Sequence, residues 1–259
     1  MITSLKVSNY RSIGENVELP FSPLTVLVGA NGSGKSNVAD ALRFVSDALS
    51  NGLTRAINHR RGIQALRHWD GGDSLHLAIE LRLHLASGPA RYRFELTGDQ
   101  PGEYRLRSEE GEVVRDTERF SFRVEDGKWA EGPPGLQPPL DPRNLALQLV
   151  GGDVRFQPLV EVLRSIAVYS IFPDTLRAPQ KYDPNKPMDR HGSNWTSILK
   201  DQPQESWKPD LVEVLHQLTG DIEDIRLRHA AGFLVAEFRH ASPAKRNTAS
   251  CNPLFPLSF

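Results

Sequence analysis

Eight consecutive residues, Gly29-Ala30-Asn31-Gly32-Ser33-Gly34-Lys35-Ser36, hold the chemistry most easily recognised in this chain. They fit the spacing G-x-x-x-x-G-K-[ST] without a mismatch, the pattern of a phosphate-binding loop. The glycines let backbone N–H groups close around an anion where side chains would stand in the way. Lys35 supplies a cation that can lie back along the loop toward the β- and γ-phosphates of a nucleoside triphosphate. Ser36 supplies a hydroxyl for Mg²⁺, and Asn37 follows on the same turn. The expected ligands are a nucleoside triphosphate and Mg²⁺.

Two elements must position that loop. Leu24-Thr25-Val26-Leu27-Val28 is a short β-branched and apolar run, which reads as a buried strand feeding the loop. After it, Val38, Leu42, Val45 and Leu49 recur at steps of four, three and four, the spacing of one helix face. A helix opening at Lys35 would add the positive end of its dipole to the anion site. Strand, glycine loop and helix in that order are the context the pattern requires.

Composition excludes several function classes. The chain has 259 residues, enough for one large domain or two small ones, with 39% hydrophobic and 24% charged residues. A net charge of −1 gives no global attraction to nucleic acid or membrane, so contact with DNA needs a local patch. Cys251 is the one cysteine, which rules out an internal disulfide and fits a reducing, cytoplasmic setting. Met1 to Lys6 begins directly as a strand pattern rather than a signal peptide, and no apolar run approaches the length of a membrane span.

Taken in order, Leu5 and Val7 punctuate one strand and Val17-Glu18-Leu19 another, with Arg11-Ser12-Ile13-Gly14 as the turn between. The segment Ser8-Asn9-Tyr10-Arg11-Ser12-Ile13, then Gly29 to Ser36, then Asn37-Val38-Ala39-Asp40-Ala41-Leu42-Arg43-Phe44-Val45, resembles the N-terminal lobe of the RecF/SMC-type ATPases. It is especially similar to bacterial AAA-family ATPases related to OLD-family nucleases. The resemblance covers roughly residues 1 to 240. It implies an α/β fold: a P-loop NTPase (ABC/SMC-like) lobe with an inserted antiparallel β-meander. It implies ATP-dependent homodimerisation and action on DNA or a partner nuclease. It also implies that the backbone near Tyr10 and Arg11 lies against the adenine.

The basic stretch 51–69 holds Arg55, His59, Arg60, Arg61, Arg67 and His68 without a carboxylate. It reads as a solvated face before it reads as a phosphate or DNA contact. Gln64, in the same stretch, could approach Mg²⁺ or water. From Leu75 the period changes to two. Leu75, Leu77, Ile79, Leu81, Leu83 and Leu85 alternate with polar and small residues, and further short runs follow, separated by turns at Gly98-Asp99, Glu110-Gly111 and Asp126-Gly127. This is an antiparallel meander over 75–130 with one wet face, Glu80 included. His76 and His84 lie too far apart on one strand to share a metal.

A mainly helical part is expected over 140–220, interrupted by a β-rich run at Ile166 to Phe172. A hairpin across Ala231-Gly232 should follow. Residues 241–259 carry three prolines and no period, and read as an irregular, truncated or frameshifted tail. Hydrolysis needs a carboxylate at the end of a buried strand to hold Mg²⁺, and a group to orient water. No apolar run here ends in Asp-Glu. Glu109-Glu110 and Glu223-Asp224 follow polar or turn residues, and Asp174 follows an apolar run broken by Pro173, which leaves it the candidate metal ligand. The C-terminal catalytic strands are therefore expected to be missing, with Val26 and Val28 left on a poorly covered flank. Two other classes fit the loop less well: a P-loop kinase or phosphotransferase, and a nucleotide-sensing remnant that does not hydrolyse ATP.

Overall fold

Period-two alternation builds the core. In the computed structural model, which describes residues 1–68, 75–133, 135–184 and 186–241, Leu77, Ile79, Leu81, Leu83 and Leu85 all turn inward and are at most 4% exposed. They form β3 (Leu77–Leu85), which pairs on one side with β1 (Ile2–Ser8) and on the other with β4 (Gly88–Thr97). The meander continues through β5 (Arg105–Arg115), β6 (Glu118–Glu125) and β7 (Lys128–Glu131), while β2 (Val17–Pro20) closes the far edge beyond β1. The seven-stranded order is β2-β1-β3-β4-β5-β6-β7, every neighbouring pair antiparallel.

Helix α1 (Lys35–Asn51) packs its apolar stripe into this core through Val38, Ala41, Phe44, Val45, Ala48 and Leu49. Leu42 sits at the margin of the stripe and is half-buried. Ring contacts run from Tyr10 to Phe44 (5.9 Å), from Phe44 to Phe94 (6.1 Å) and from Phe94 to Tyr92 (5.9 Å), joining the first turn of the chain, α1 and β4. Each buried ring or leucine of this kind stabilises the fold by about 1.5–3 kcal/mol. After α2 (Leu53–Asn58), α3 (Leu147–Val150) and α4 (Gln157–Arg164) cover the other end of α1. Ala48 O accepts from the Gly52 N–H at 3.1 Å, and the carbonyls after it lack helical partners. Gln148 Nε2 donates to Ala48 and Leu49 O at 3.0 and 3.2 Å, and Arg164 Nε donates to Leu49 O at 3.2 Å.

The chain divides into two units, Met1–Val168 and Tyr169–Phe259. The second contains α5 (Pro173–Arg177), α6 (Trp195–Asp201), α7 (Gln204–Thr219) and the hairpin of β8 (Ile222–Ala230) and β9 (Phe233–His240). Ala231 and Gly232 both take positive φ, 48° and 83°, as a two-residue hairpin turn requires.

Four local expectations change. Leu24 to Val28 is not a strand: no described strand pairs with it, and Leu24, Val26 and Val28 are 81, 72 and 89% exposed. An apolar run becomes a strand only where an edge accepts its hydrogen bonds, and β1 already has partners on both sides. Ile166 to Phe172 fails for the same reason, with Tyr169 and Phe172 half exposed. Glu110-Gly111 is not a turn but the middle of β5. A Cβ on Gly111 would stand 2.2 Å from Phe122 Cε1, so the glycine makes room for a ring. Glu80, expected on a wet face, is 8% exposed, because Arg82 and Arg91 close over it at 3.2 and 3.0 Å. Of the irregular tail expected over 241–259, residues 242–259 lie outside the described residues.

Candidate functional site

The first turn of α1 and the loop before it form one connected arrangement. Gly32 and Gly34 have φ of 82° and 90°, a region costly for residues with a Cβ. Gly34 is the N-cap of α1. Among the described residues no side chain caps this helix start, and its first turn carries no acid. The leading N–H groups of α1 therefore face outward with the positive end of the helix dipole behind them. Lys35 folds back over the loop. Its Nζ donates to the carbonyls of Gly29 (2.9 Å) and Ala30 (2.7 Å) and to Ser33 Oγ (3.2 Å). Ser33 N donates to Ala30 O at 3.3 Å, tightening the curve. Asn31, Gly32, Ser33 and Ser36 stand exposed to solvent.

The N-terminal turn is brought against this loop. Asn37 Nδ2 donates to Ser12 Oγ at 2.6 Å, and a Cβ on Gly34 would lie 3.3 Å from that same oxygen. Arg11 is held by its backbone: its N–H donates to Leu66 O at 2.7 Å, and its carbonyl contacts His68 Nδ1 at 2.5 Å. Tyr10 is fully buried, its hydroxyl donating to Asp40 Oδ2 at 2.7 Å. Burial, reinforced by the neighbouring Asp40 carboxylate, pushes the Tyr10 phenol far above its ordinary range. The Tyr10 ring therefore packs in the core, and what this turn presents beside the loop is the backbone and side chain of Arg11 and Ser12.

Asp40 gathers three donors: Tyr10, Arg11 NH2 at 3.0 Å and Arg60 Nε at 3.2 Å. Arg60 also reaches Asp47 at 2.9 Å and lies over the Phe44 ring at 5.2 Å. The basic stretch is thus partly interior. Arg60 and Arg67 are each 8% exposed, and Arg67 donates to the carbonyls of Pro101 and Glu103. Reading that stretch as a solvated face missed its anions, because they lie on α1. Asp40 and Asp47, seven apart and so on one helix side, were the available signal.

The acids considered for metal or base chemistry are otherwise engaged. Glu109 is fully buried on β5. It accepts from Tyr92 OH (2.9 Å) and from the N–H groups of Ala146 (2.5 Å) and Leu147 (2.8 Å) at the start of α3. Burial raises its carboxyl to about 7 despite those three donors. Glu110 pairs with Arg91 at 3.1 Å. In the second unit, Asp224 is held at about 2, first by the Lys208 ammonium 2.7 Å away. Asp174, in that same unit, stands exposed in the first turn of the five-residue α5 rather than at the end of a buried strand. Among the described residues no cluster of three or more His, Cys, Asp or Glu could hold a metal ion, and no helix is long and apolar enough to cross a membrane.

The chain is similar in part to known proteins. Residues 1–69 match the family described as the RecF/RecN/SMC N terminal domain. Over 57 residues the chain is 47% identical to the chromosome partition protein Smc of Pyrococcus furiosus; the aligned part is 21% of this chain and 5% of that protein. The chain thus matches a small part of that relative's length. Among solved structures, an SMC head bound to the C-terminal winged-helix domain of ScpA superposes with a TM-score of 0.50 at 19% identity, over 93% of this chain and 68% of that one. An SMC ATPase solved in connection with ATP-driven dimerization and DNA-stimulated activation matches 45% of this chain and 72% of its own, at 27% identity and a TM-score of 0.33. The fold is similar to that of an SMC head, and residues 1–69 resemble the RecF/RecN/SMC N-terminal domain.

Proposed function

We propose that residues 29–36 bind the phosphates of Mg-ATP and that the chain serves as the nucleotide-binding lobe of an SMC-like ATPase. One observation carries this reading: Lys35 Nζ lies on the Gly29 and Ala30 carbonyls, directly over an uncapped helix start. That arrangement brings a cation and the free N–H groups of a helix start together, which suits a polyphosphate. Gly29, Ala30, Asn31, Gly32, Ser33 and Gly34 supply the backbone, Lys35 the charge, and Asn37 fixes the loop against Ser12. Arg11, beside them, completes the nucleotide-facing side.

The residues present fit Mg²⁺ held through the nucleotide. The cation dehydrates reluctantly and binds with few protein ligands plus substrate phosphates. Ser36, exposed in the first turn of α1, is the group that would hold it. When bound, Mg²⁺ would supply positive charge to offset that of the phosphates. The lobe itself contributes binding and orientation. Turnover needs a further carboxylate and a group to orient water; of the acids above, Glu109 is committed to Tyr92 and α3. The lobe thus acts as a switch that pairs with a second copy around ATP and works on DNA or a partner nuclease. Equilibrium binding of ATP with and without Mg²⁺, on the whole chain and on Lys35→Ala, tests the reading. Tight Mg-dependent binding lost in the variant supports it; identical binding in the two ends it.

A further inference from the structure

Asp40 serves three donors, and they do not depend on it equally. Arg60 is 8% exposed and has Asp47 as a second carboxylate at 2.9 Å, with Ala56 O at 3.1 Å besides. The Tyr10 hydroxyl is buried and fixed. Arg11 differs. Its side chain is 33% exposed, Asp40 is the carboxylate it meets, and its buried Nε has no hydrogen-bond partner among the described residues. Arg11 is therefore under-satisfied where it rests, whereas Arg60 and Tyr10 would keep the Asp40 oxygens bonded if Arg11 left. Its backbone is anchored at Leu66 and His68, and the next residue, Ser12, touches Asn37 at the loop. Asp40 follows Lys35 by five positions, about 7.5 Å along the helix axis. An arginine side chain hinged beside the loop can span that distance.

We infer that Asp40 is a positioning residue of the nucleotide site: it holds Arg11 at the edge of the loop and yields it to a phosphate of the bound nucleotide. The inference rests on the reading of the loop as a triphosphate site. An ion pair this open to solvent is weak. A phosphate oxygen pair carries more charge and suits the fork of a guanidinium, so it wins the exchange. The exchange leaves no carboxylate unpaired, because Arg60 reaches both Asp40 oxygens at 3.2 Å.

The experiment is nucleotide affinity for the whole chain carrying Asp40→Asn, Arg11→Ala or both, with ATP and adenosine as probes. Asparagine keeps an acceptor for Tyr10 but removes the charge that competes for Arg11. The expected result is ATP binding about two- to tenfold tighter in Asp40→Asn, with that gain abolished when Arg11→Ala is added. If Asp40→Asn instead weakens ATP binding, the residue is merely structural and the inference is overturned. Should Asp40→Asn fold too poorly to assay, Arg11→Ala decides the matter. A loss of ATP affinity with adenosine affinity unchanged supports transfer to phosphate; an equal loss on both, or no loss, overturns it. Lys35→Ala separates the two claims: if it abolishes ATP binding while the Arg11 and Asp40 variants match the parent, the loop assignment stands and this inference falls.

Discussion

Glu109 should make this fold less stable as the pH rises through neutrality, against the usual behaviour of carboxylates. The ordinary value for the group is 4.5, and burial lifts it to about 7 in the folded chain. Between those values the folded state holds a proton that the unfolded state has released, so stability is fullest below 4.5 and declines up to about 7. The full difference corresponds to roughly 3 kcal/mol. Three donors converge on the carboxylate, from Tyr92, Ala146 and Leu147. They favour the anion, but the solvation lost on full burial outweighs them. Glu109→Gln removes the titration. Its amide still accepts from Leu147 and Tyr92 but turns an N–H toward the Ala146 N–H, a mismatch costing about 1–3 kcal/mol at every pH. Amide hydrogen exchange at Ala146 and Leu147, with urea midpoints between pH 5 and 8, reads the effect locally and globally. The difference between parent and variant should shrink as pH rises. A parent whose stability rises from pH 5 to 8, or a pH profile that survives the substitution unchanged, refutes the reasoning.

The meander offers sharper contrasts. Ile79→Asp places an unpaired charge at a site 1% exposed and should unfold the first unit, losing several kcal/mol by urea titration. Glu80→Lys, one residue away on the opposite face, should cost about 1–3 kcal/mol, because it confronts Arg82 and Arg91 with a third cation; a silent substitution would show that those pairs contribute nothing. Gly111→Ala should destabilise by about 1–3 kcal/mol through Phe122, and Phe122→Leu in the same chain should recover part of that loss; if the double variant is no better than Gly111→Ala, steric relief is the wrong explanation.

How much of this could be read from the residues depended on whether a signal was local. The helix after the loop and the strand from Leu77 to Leu85 announce themselves because one face of each is apolar at a fixed period. The turn at Ala231-Gly232 is legible because a glycine interrupts two strand-like runs, although Ala231 itself takes a positive φ that its Cβ disfavours. By contrast, Val26 and Val28 have strand-like side chains, yet a strand also needs an edge, and edges are made by distant residues. Gly111 misled because a glycine permits a turn and also permits a neighbouring ring, and only the β5–β6 register distinguishes the two. Arg60 was misjudged because its anions, Asp40 and Asp47, sit one element earlier. The helix expected after the loop does open at Lys35.

The most direct test of the central claim is the equilibrium dissociation constant for Mg-ATP, measured calorimetrically on the parent chain and on Lys35→Ala. The ammonium is the one loop group whose charge-assisted hydrogen bonds would pass from the Gly29 and Ala30 carbonyls to phosphate. Removing such a bond, at roughly 2–3 kcal/mol, should weaken binding about thirty- to a hundred-fold. ATP binding of equal strength in the two proteins would contradict the assignment of this loop.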